Sequence, residues 1–447
     1  MGTEELWDIP QTWIWTRIKA IGNVVAGGTP STKEPSYWGT EINWISPADL
    51  TGYYSKTIAN GAKGLSSLGL KNSSAKVMPA GSVHFSSRAP IGYVAISSEP
   101  LATNQGFKSL IPAEGIFNEY VYYYLKASKQ LAERRASGTT FLELSGTAFG
   151  LLPLPIPPTN EQYHIVTKIE ALFSELDKGI ESLKTAREQL KAYRQSVLKH
   201  AFEGKLTEQW RVSRSLPSWT ETTIGEQLSY VTSGSRGWAK FYSDEGDIFI
   251  RAQNLKFDRL NLEDAAYVTL PARSEGMRTL VQHGDLLITI TGANVTKTAF
   301  LKNDIGTAYV SQHVALARPK EGSNTEFLYW FLVAEAAGRS QLNEFAYGAG
   351  KPGLNLGNIK SVRIDLPDPS EQTEIVTKIN EMLSIEESAC TIIDAQLKRI
   401  EALRQSILRR AFSGRLVEQD PSDEPASLLL EKILRNKKSK KNEKEAA

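Results

Sequence analysis

The second half of this chain repeats the first at an offset of 210 residues. Laid over one another, Glu161–Gln209 and Glu371–Gln419 need no gap, and nineteen of the 49 positions are identical. Ile165-Val166-Thr167-Lys168-Ile169 falls on Ile375-Val376-Thr377-Lys378-Ile379, and Arg194-Gln195-Ser196 on Arg404-Gln405-Ser406. Ala201-Phe202 with Gly204 and Leu206 falls on Ala411-Phe412 with Gly414 and Leu416. Such a period is too long for a solenoid unit; it is a whole domain plus a connector. The chain reads as two copies of one design, so a target with two parts is expected.

Each copy joins two kinds of sequence. Residues 1–158 and 213–369 are rich in Gly, Ser, Thr, aromatics and short β-branched runs. Helix-type sequence follows in 159–212 and 370–419, with helices expected from Asn160 to Glu203 and from Ser370 to Ser413. Pro155, Pro157 and Pro158 precede one helix, and Pro367 and Pro369 the other; proline biases its predecessor away from helix. Asn160 and Ser370 are expected N-caps. Gly204 and Gly414 stand where a C′ glycine ends a helix, after the basic turns Lys199-His200 and Arg409-Arg410.

Apolar residues recur at helical steps along the first helix: Ile165, Ile169, Leu172, Leu176, Ile180, Leu183, Leu190, Tyr193, Val197 and Ala201. Ile375, Ile379, Met382, Ala389, Ile393, Ile400, Leu403, Ile407 and Ala411 repeat the stripe. About 43 residues give a rod on the order of 60 Å long. Two such rods are expected to pair antiparallel about a pseudo-two-fold; the alternative is that each packs on its own β-rich domain.

With 447 residues there is room for two or three domains with real cores. The balance of 52 basic and 50 acidic residues neither requires nor excludes nucleic acid, since a basic face can be offset elsewhere. The single cysteine, Cys390, rules out an internal disulfide and points to a reducing compartment. One cysteine and five scattered histidines argue against a structural zinc site. No signal peptide is visible in 1–11, and no stretch approaches the ~20 apolar residues of a membrane span.

The β-rich halves match each other more loosely. Ile9-Pro10 leading to Trp13 corresponds to Leu216-Pro217 leading to Trp219, and Gly81-Ser82-Val83-His84-Phe85 to Gly284-Asp285-Leu286-Leu287-Ile288. Trp44–Leu50 corresponds to Ile248–Leu255, and Glu119–Leu125 to Glu326–Leu332. Tyr122, Tyr123, Trp330 and Phe331 are expected in the core. The intervening loops differ: Gly27-Gly28-Thr29-Pro30-Ser31-Thr32-Lys33 stands opposite Ser233-Gly234-Ser235-Arg236-Gly237. One frame with unlike loops suggests two readers of one type that read different things.

Gly27-Gly28-Thr29-Pro30-Ser31, then Tyr37-Trp38-Gly39 and Trp44-Ile45-Ser46-Pro47-Ala48-Asp49-Leu50, resembles a target recognition domain of a type I restriction-modification specificity subunit. So do Leu154-Pro155-Ile156-Pro157-Pro158 leading to Glu161-Gln162, and each Ala-Phe-x-Gly-x-Leu helix end. The resemblance spans nearly the whole chain: recognition domain, helix, recognition domain, helix. It implies a bacterial or archaeal cytoplasmic protein without catalysis of its own. Such a protein reads a split sequence in double-stranded DNA and holds two methylation subunits on its helices, with restriction subunits joining. S-adenosylmethionine is then expected on the methylation subunits, ATP and Mg on the restriction subunits, and no cofactor on this chain. The second recognition domain lacks the Gly-Gly-Thr-Pro-Ser string, so loop roles transfer less directly there.

No Asn/Asp-Pro-Pro-Tyr/Phe string is present to hold a flipped base. Gly348-Ala349-Gly350-Lys351-Pro352 lacks the leading glycine of a phosphate loop, and Pro352 replaces its Ser/Thr. Candidate DNA-reading residues are loop donors suited to bases or phosphates. In the first domain they are Thr29, Ser31, Thr32, Lys33, Ser86, Ser87 and Arg88; in the second, Ser235, Arg236, Lys240, Asn294 and Lys351. Each Ser or Thr can instead be a turn former that bonds its own backbone. Arg194, Gln195, Arg404 and Gln405 are candidates for a repeated, exposed partner-binding face.

The fold class expected is α+β, with two β-rich recognition domains separated by an antiparallel two-helix spacer. Residues 420–447 are expected to be a disordered basic tail, with Leu428–Leu434 able to form a short helix and Arg435–Lys441 touching phosphates nonspecifically. Competing readings are a stand-alone enzyme of duplicated fold, an adaptor that bridges two identical proteins without reading DNA, and a type IIB-like specificity subunit.

Overall fold

A computed structural model describes residues 7–138, 142–234, 236–271, 275–346 and 352–446. The chain forms two compact units, residues 1–182 with 396–447 and residues 183–395. Both long helices, α3 (Thr159–Phe202) and α6 (Pro369–Phe412), therefore contribute to both units.

In the first unit a five-stranded sheet runs in the order Gly22–Ala26, Phe107–Pro112, Val83–Ser86, Val94–Ser97, Thr57–Ile58. Its first four strands are antiparallel and the last is parallel. Strand alternation loads both faces. Val83, Phe85, Val94, Ile96 and Leu110 enter the main core, while Ala95 and Phe107 enter a smaller one on the other side. A second sheet pairs Ile42–Ile45 in parallel with Leu101–Thr103. The short pair Ile14–Arg17 and Pro153–Ile156 brings the start of the recognition domain to its end. Helices α1 (Asn118–Ala127) and α2 (Lys129–Arg135) lie between strands and spacer, so the tyrosine-rich run is a buried helix. Tyr122 and Tyr123 are in the core as expected.

The second unit repeats this plan. Leu228–Ser233, Val314–Pro319, Leu286–Thr289 and Thr298–Phe300 form an antiparallel sheet. Leu286 and Ile288 face one core and Leu287 the other. Asp247–Ile250 pairs in parallel with Ala308–Val310, as in the second sheet of the first unit. Helices α4 (Thr325–Val333) and α5 (Gly338–Phe345) follow, with Trp330 and Phe331 buried.

Within each unit the halves of α3 and α6 run antiparallel. In the first unit Asp177 pairs with Arg404, and Gly179 lies against Ile400, so one numbering rises as the other falls. In the second unit Arg187 pairs with Asp394, and Arg194 with Glu386 at 3.6 Å. Each half also packs on its own β-rich domain. Ile165, Val166 and Ile169 join Leu408, Ala411 and Phe412 in one core; Val197, Leu198 and Ala201 join Ile375, Val376 and Ile379 in the other. The helices thus pair antiparallel as expected, and each also divides its packing between the two β-rich domains, half by half. The stripe differs in one respect: Tyr193 and Leu403 are 40% and 41% exposed, and Leu198 and Leu408 take the inward positions.

The helix ends follow the glycines. Gly204 and Gly414 have φ of +73° and +69°. Lys205 N–H reaches the His200 carbonyl at 3.0 Å, and Arg415 N–H that of Arg410 at 2.9 Å, closing the last turn. The starts lie one residue earlier than expected. Ser370 is inside the first turn, and Asp368 caps it by accepting from the Ser370 amide at 2.8 Å.

Instead of a disordered tail, residues Ala426–Ala446 form helix α7. Ala426, Leu429, Leu430 and Ile433 are spaced as a helical stripe and pack into the first unit's core. Ala426 N–H donates to the Thr12 carbonyl at 2.9 Å, and the Lys437 amine to the carbonyls of Lys19 and Gly22 at 2.8 and 2.6 Å. One member of the basic run is therefore engaged with its own chain.

Candidate nucleic-acid interface

The site is built outward from a latch that each unit repeats. Glu161 is 3% exposed; it accepts from the Trp13 indole N–H at 2.8 Å and from the Gln419 amide at 2.6 Å. Burial pushes its carboxyl above the usual range, and those two donors partly offset this. Glu371, 0% exposed, accepts from the Trp219 indole at 3.1 Å, from the Thr207 hydroxyl at 2.7 Å and pairs with Arg211 at 3.2 Å. The glutamine beside each closes the proline turn: Gln162 donates to the Pro157 carbonyl at 3.3 Å, Gln372 to that of Pro367 at 2.9 Å. The repeated Glu-Gln and Pro…Trp motifs thus tie both ends of a recognition domain to its helix.

Beyond this frame, three loop segments meet in each unit. In the first, the turn after Val83–Ser86 meets the turn Asn104-Gln105-Gly106 through Ser87 N–H to Gly106 O at 2.7 Å. It meets segment 142–144 through Leu144 N–H to Ser87 O at 2.9 Å. In the second, Ile290 N–H reaches His313 O at 2.9 Å and Leu354 N–H reaches Ile290 O at 2.8 Å. The equivalent segments carry different side chains.

Thr29 leads a loop whose glycines are needed for close packing. A Cβ on Gly27 would lie 1.9 Å from the Asn104 carbonyl, and one on Gly28 2.3 Å from the Ala75 amide. The Trp44 indole donates to the Gly28 carbonyl at 3.1 Å. The Thr29 hydroxyl donates to the Gln105 side chain, which joins this loop to the three-segment cluster. Ser31, Thr32 and Lys33 are exposed beside it.

Ser86 and Ser87 do not present their hydroxyls outward. Both are 0% exposed, donating to Pro90 O at 2.7 Å and Gly106 O at 3.0 Å, so the turn-forming role takes them. Arg88 remains at the surface, 3.4 Å from Glu143, which Lys108 also meets at 3.3 Å. In the second unit Arg236 and Lys240 are exposed, with the Lys240 amine 5.0 Å over the Phe241 ring. Asn294 donates to the Ala252 carbonyl at 3.1 Å within the turn that carries Thr291. Ser235 and Lys351 lie outside the described residues.

Two residues escaped sequence reasoning. Gln105 and Gln312 occupy equivalent turns, following Leu101–Thr103 and Ala308–Val310 respectively. Gln105 is exposed; Gln312 contacts His313, whose other ring nitrogen meets Thr291. A side-chain amide can bond both the N6 and N7 positions of adenine. Aligning the β-rich halves strand by strand would have placed the two glutamines together.

Arg194 and Arg404 are not on an exposed face. Arg194 pairs with Glu386 and stacks 5.3 Å over Trp330; Arg404 pairs with Asp177 and lies 4.9 Å over Phe173. Gln195 accepts from the Glu335 amide at 3.0 Å, and Gln405 is exposed. Among the described residues no helix is long and apolar enough to cross a membrane.

Comparison with known proteins now places the chain. The family profile described as "Type I restriction modification DNA specificity domain" matches residues 10–186 and 277–395. The EcoKI specificity subunit of Escherichia coli K12 is 24% identical over 453 residues, covering 95% of each chain. The MjaIX specificity subunit of Methanocaldococcus jannaschii is 34% identical over 259 residues, 55% of this chain and 59% of that one. A structure titled as the basis of complex assembly and conformational transition of the type I R-M system shares the fold. Its TM-score is 0.67 at 19% identity, covering 92% of this chain and 100% of that chain. The HsdS subunit from Thermoanaerobacter tengcongensis gives a TM-score of 0.50 at 19% identity, with 92% and 99% coverage. With its duplicated latch, paired helix halves and twin loop clusters, this chain belongs to the family of type I restriction-modification DNA specificity subunits.

Proposed function

We propose that this chain reads an asymmetric DNA target of two short parts separated by unread bases, one part per unit. The observation that carries this is one three-segment loop cluster built twice on a shared frame with unlike side chains. In the first unit Thr29, Ser31, Thr32, Lys33, Arg88 and Gln105 do the reading; in the second, Arg236, Lys240, Asn294, Gln312 and His313, with Ser235 and Lys351 as sequence candidates. Gln105 and Gln312 suit adenine edges, and Lys33, Arg88 and Arg236 suit phosphates or guanine.

The chain is a DNA-recognition subunit rather than a catalytic one, and it works with other subunits of its restriction-modification system. Two copies of one methylation subunit are proposed as partners, with restriction subunits joining through them in the cytoplasm. Tyr193 and Leu403 support this: they sit 210 residues apart, at equivalent places on α3 and α6, and both expose an apolar side chain. Gln405 is exposed on α6, whereas Gln195 is held by the Glu335 amide, and Arg194 and Arg404 act by holding the helix pairs. S-adenosylmethionine is assigned to the methylation subunits, ATP and Mg to the restriction subunits.

Methylome sequencing of cells carrying the chain with its partners tests the reading. Replacing Gly27–Lys33 together with Arg88 and Gln105 by the loops of another such domain should change one target part only. A palindromic target, or both parts altered, would overturn the two-reader proposal. Tyr193→Asp should leave a complex with one methylation subunit, as read by its mass.

A further inference from the structure

The first unit carries a groove of about 1000 Å³ that belongs to neither the loop cluster nor the latch. Helices α1 and α2 form one wall and the C-terminal end of α6 the other, with Leu131, Leu408 and Phe412 lining it beside cations. Lys126, Arg134, Arg409 and Arg415 all line it and are exposed, and among the described residues Asp8 is the acidic one of the lining. Lys126 meets the Tyr122 hydroxyl at 3.3 Å.

The repeat supplies the comparison. Arg409 and Arg415 stand over Lys199 and Lys205. In the second unit both lysines meet Glu203, at 3.8 and 2.7 Å, so their charge is matched internally. In the first unit the position of Glu203 is taken by Ser413, which also lines the groove and brings no charge. The first unit thus carries Arg409 and Arg415 where its duplicate places a carboxylate between the matching lysines.

From this charge complementarity and the apolar lining, we infer that the groove docks an acidic, leucine-containing segment of a partner protein. Carboxylates on the segment meet Arg134, Arg409 and Arg415, and its aliphatic side chains cover the half-buried Leu131 at the edge of the core that Leu408 and Phe412 fill. A DNA duplex is the less suitable occupant. Its phosphates lie on a broad convex surface, which gains little from an apolar recess, and none of the reading loops contributes to this groove. The inference does not depend on the reading of DNA sequence: it assigns a single asymmetric docking site, not one shared by both units.

Fluorescence anisotropy of a labelled short peptide of alternating glutamate and leucine pairs tests it on the full chain, with a labelled DNA duplex in parallel. Two variants are compared: Arg134→Glu with Arg409→Glu, and Ser413→Glu, which restores the neutralising carboxylate of the second unit. Peptide affinity should fall about tenfold or more in both, with duplex binding and melting temperature unchanged. The inference is overturned if the peptide fails to bind the natural chain, or binds both variants as well as it binds that chain. It is also overturned if duplex binding falls while peptide binding holds, which would make the groove a DNA backbone contact.

Discussion

His84 shows how much depends on single residues in the frame that holds the candidate DNA-facing loops. It sits on the strand leading to Arg88, fully buried, with Nδ1 2.9 Å from the Ser109 hydroxyl. Burial lowers its pKa from 6.5 to about 3, so it is neutral in the folded chain at neutral pH. Its contribution to stability is fully present above the unfolded value and is lost as pH falls, because the unfolded chain takes up the proton first. Between these two values the loss is ~1.4 kcal/mol per pH unit. Urea melts at pH 7 and 5 should differ by about 2 kcal/mol more for the natural chain than for His84→Asn. The latch makes a second residue-scale test. Glu161→Gln turns one acceptor into a donor facing the Trp13 indole or Gln419, and should cost about 1–3 kcal/mol despite removing a buried charge. A melting curve unchanged from the natural chain would show that the latch does not hold the domain.

Among the elements, α7 gives the plainest prediction. Ending the chain after Pro425 removes Ile433 from the core, worth ~2 kcal/mol, and the partial cover from Leu429 and Leu430 besides. The truncated chain should melt lower while the second unit's amides keep their hydrogen-exchange protection. A free tail would make the truncation silent. The run 435–441 reads as disorder on its charge density, and the apolar stripe that anchors the helix, ending at Ile433, lies before it. The long helices were legible, since proline before and left-handed glycine after leave few alternatives. Their burial was less so: the i to i+4 pattern cannot tell Tyr193 from Leu198 when both suit an apolar stripe. In the loops, Gly27 and Gly28 mark a close approach, yet Ser86 and Ser87 turn inward. A serine in a turn bonds its own backbone or a ligand, and only the fold shows which.

For the whole molecule, the chain passes between its two compact units at 182–183 and at 395–396, each time inside a long helix. Adding four residues near Lys184 alone lengthens α3 by ~6 Å while α6 keeps its length. The pairs Asp177 with Arg404 and Arg187 with Asp394 then cannot both be kept. A single insertion should therefore lower the melting temperature and abolish modification. Matched insertions near Lys184 and Gln396 should restore both and lengthen the unread gap in the methylome, leaving each specific part as it was. If the single insertion lengthens the gap without loss of stability, the paired helices do not set the spacing.

That need for matched changes bears on how such a gene can vary through time. A substitution in a reading loop is one event and can be selected at once. On the packing described, a new gap length should take two coordinated in-frame insertions, with the intermediate carrying only one less stable. Lineages descended from this gene should thus diversify in the words they recognise well before they alter the distance between them. A survey of methylated motifs across close descendants should find many word changes for each change of distance.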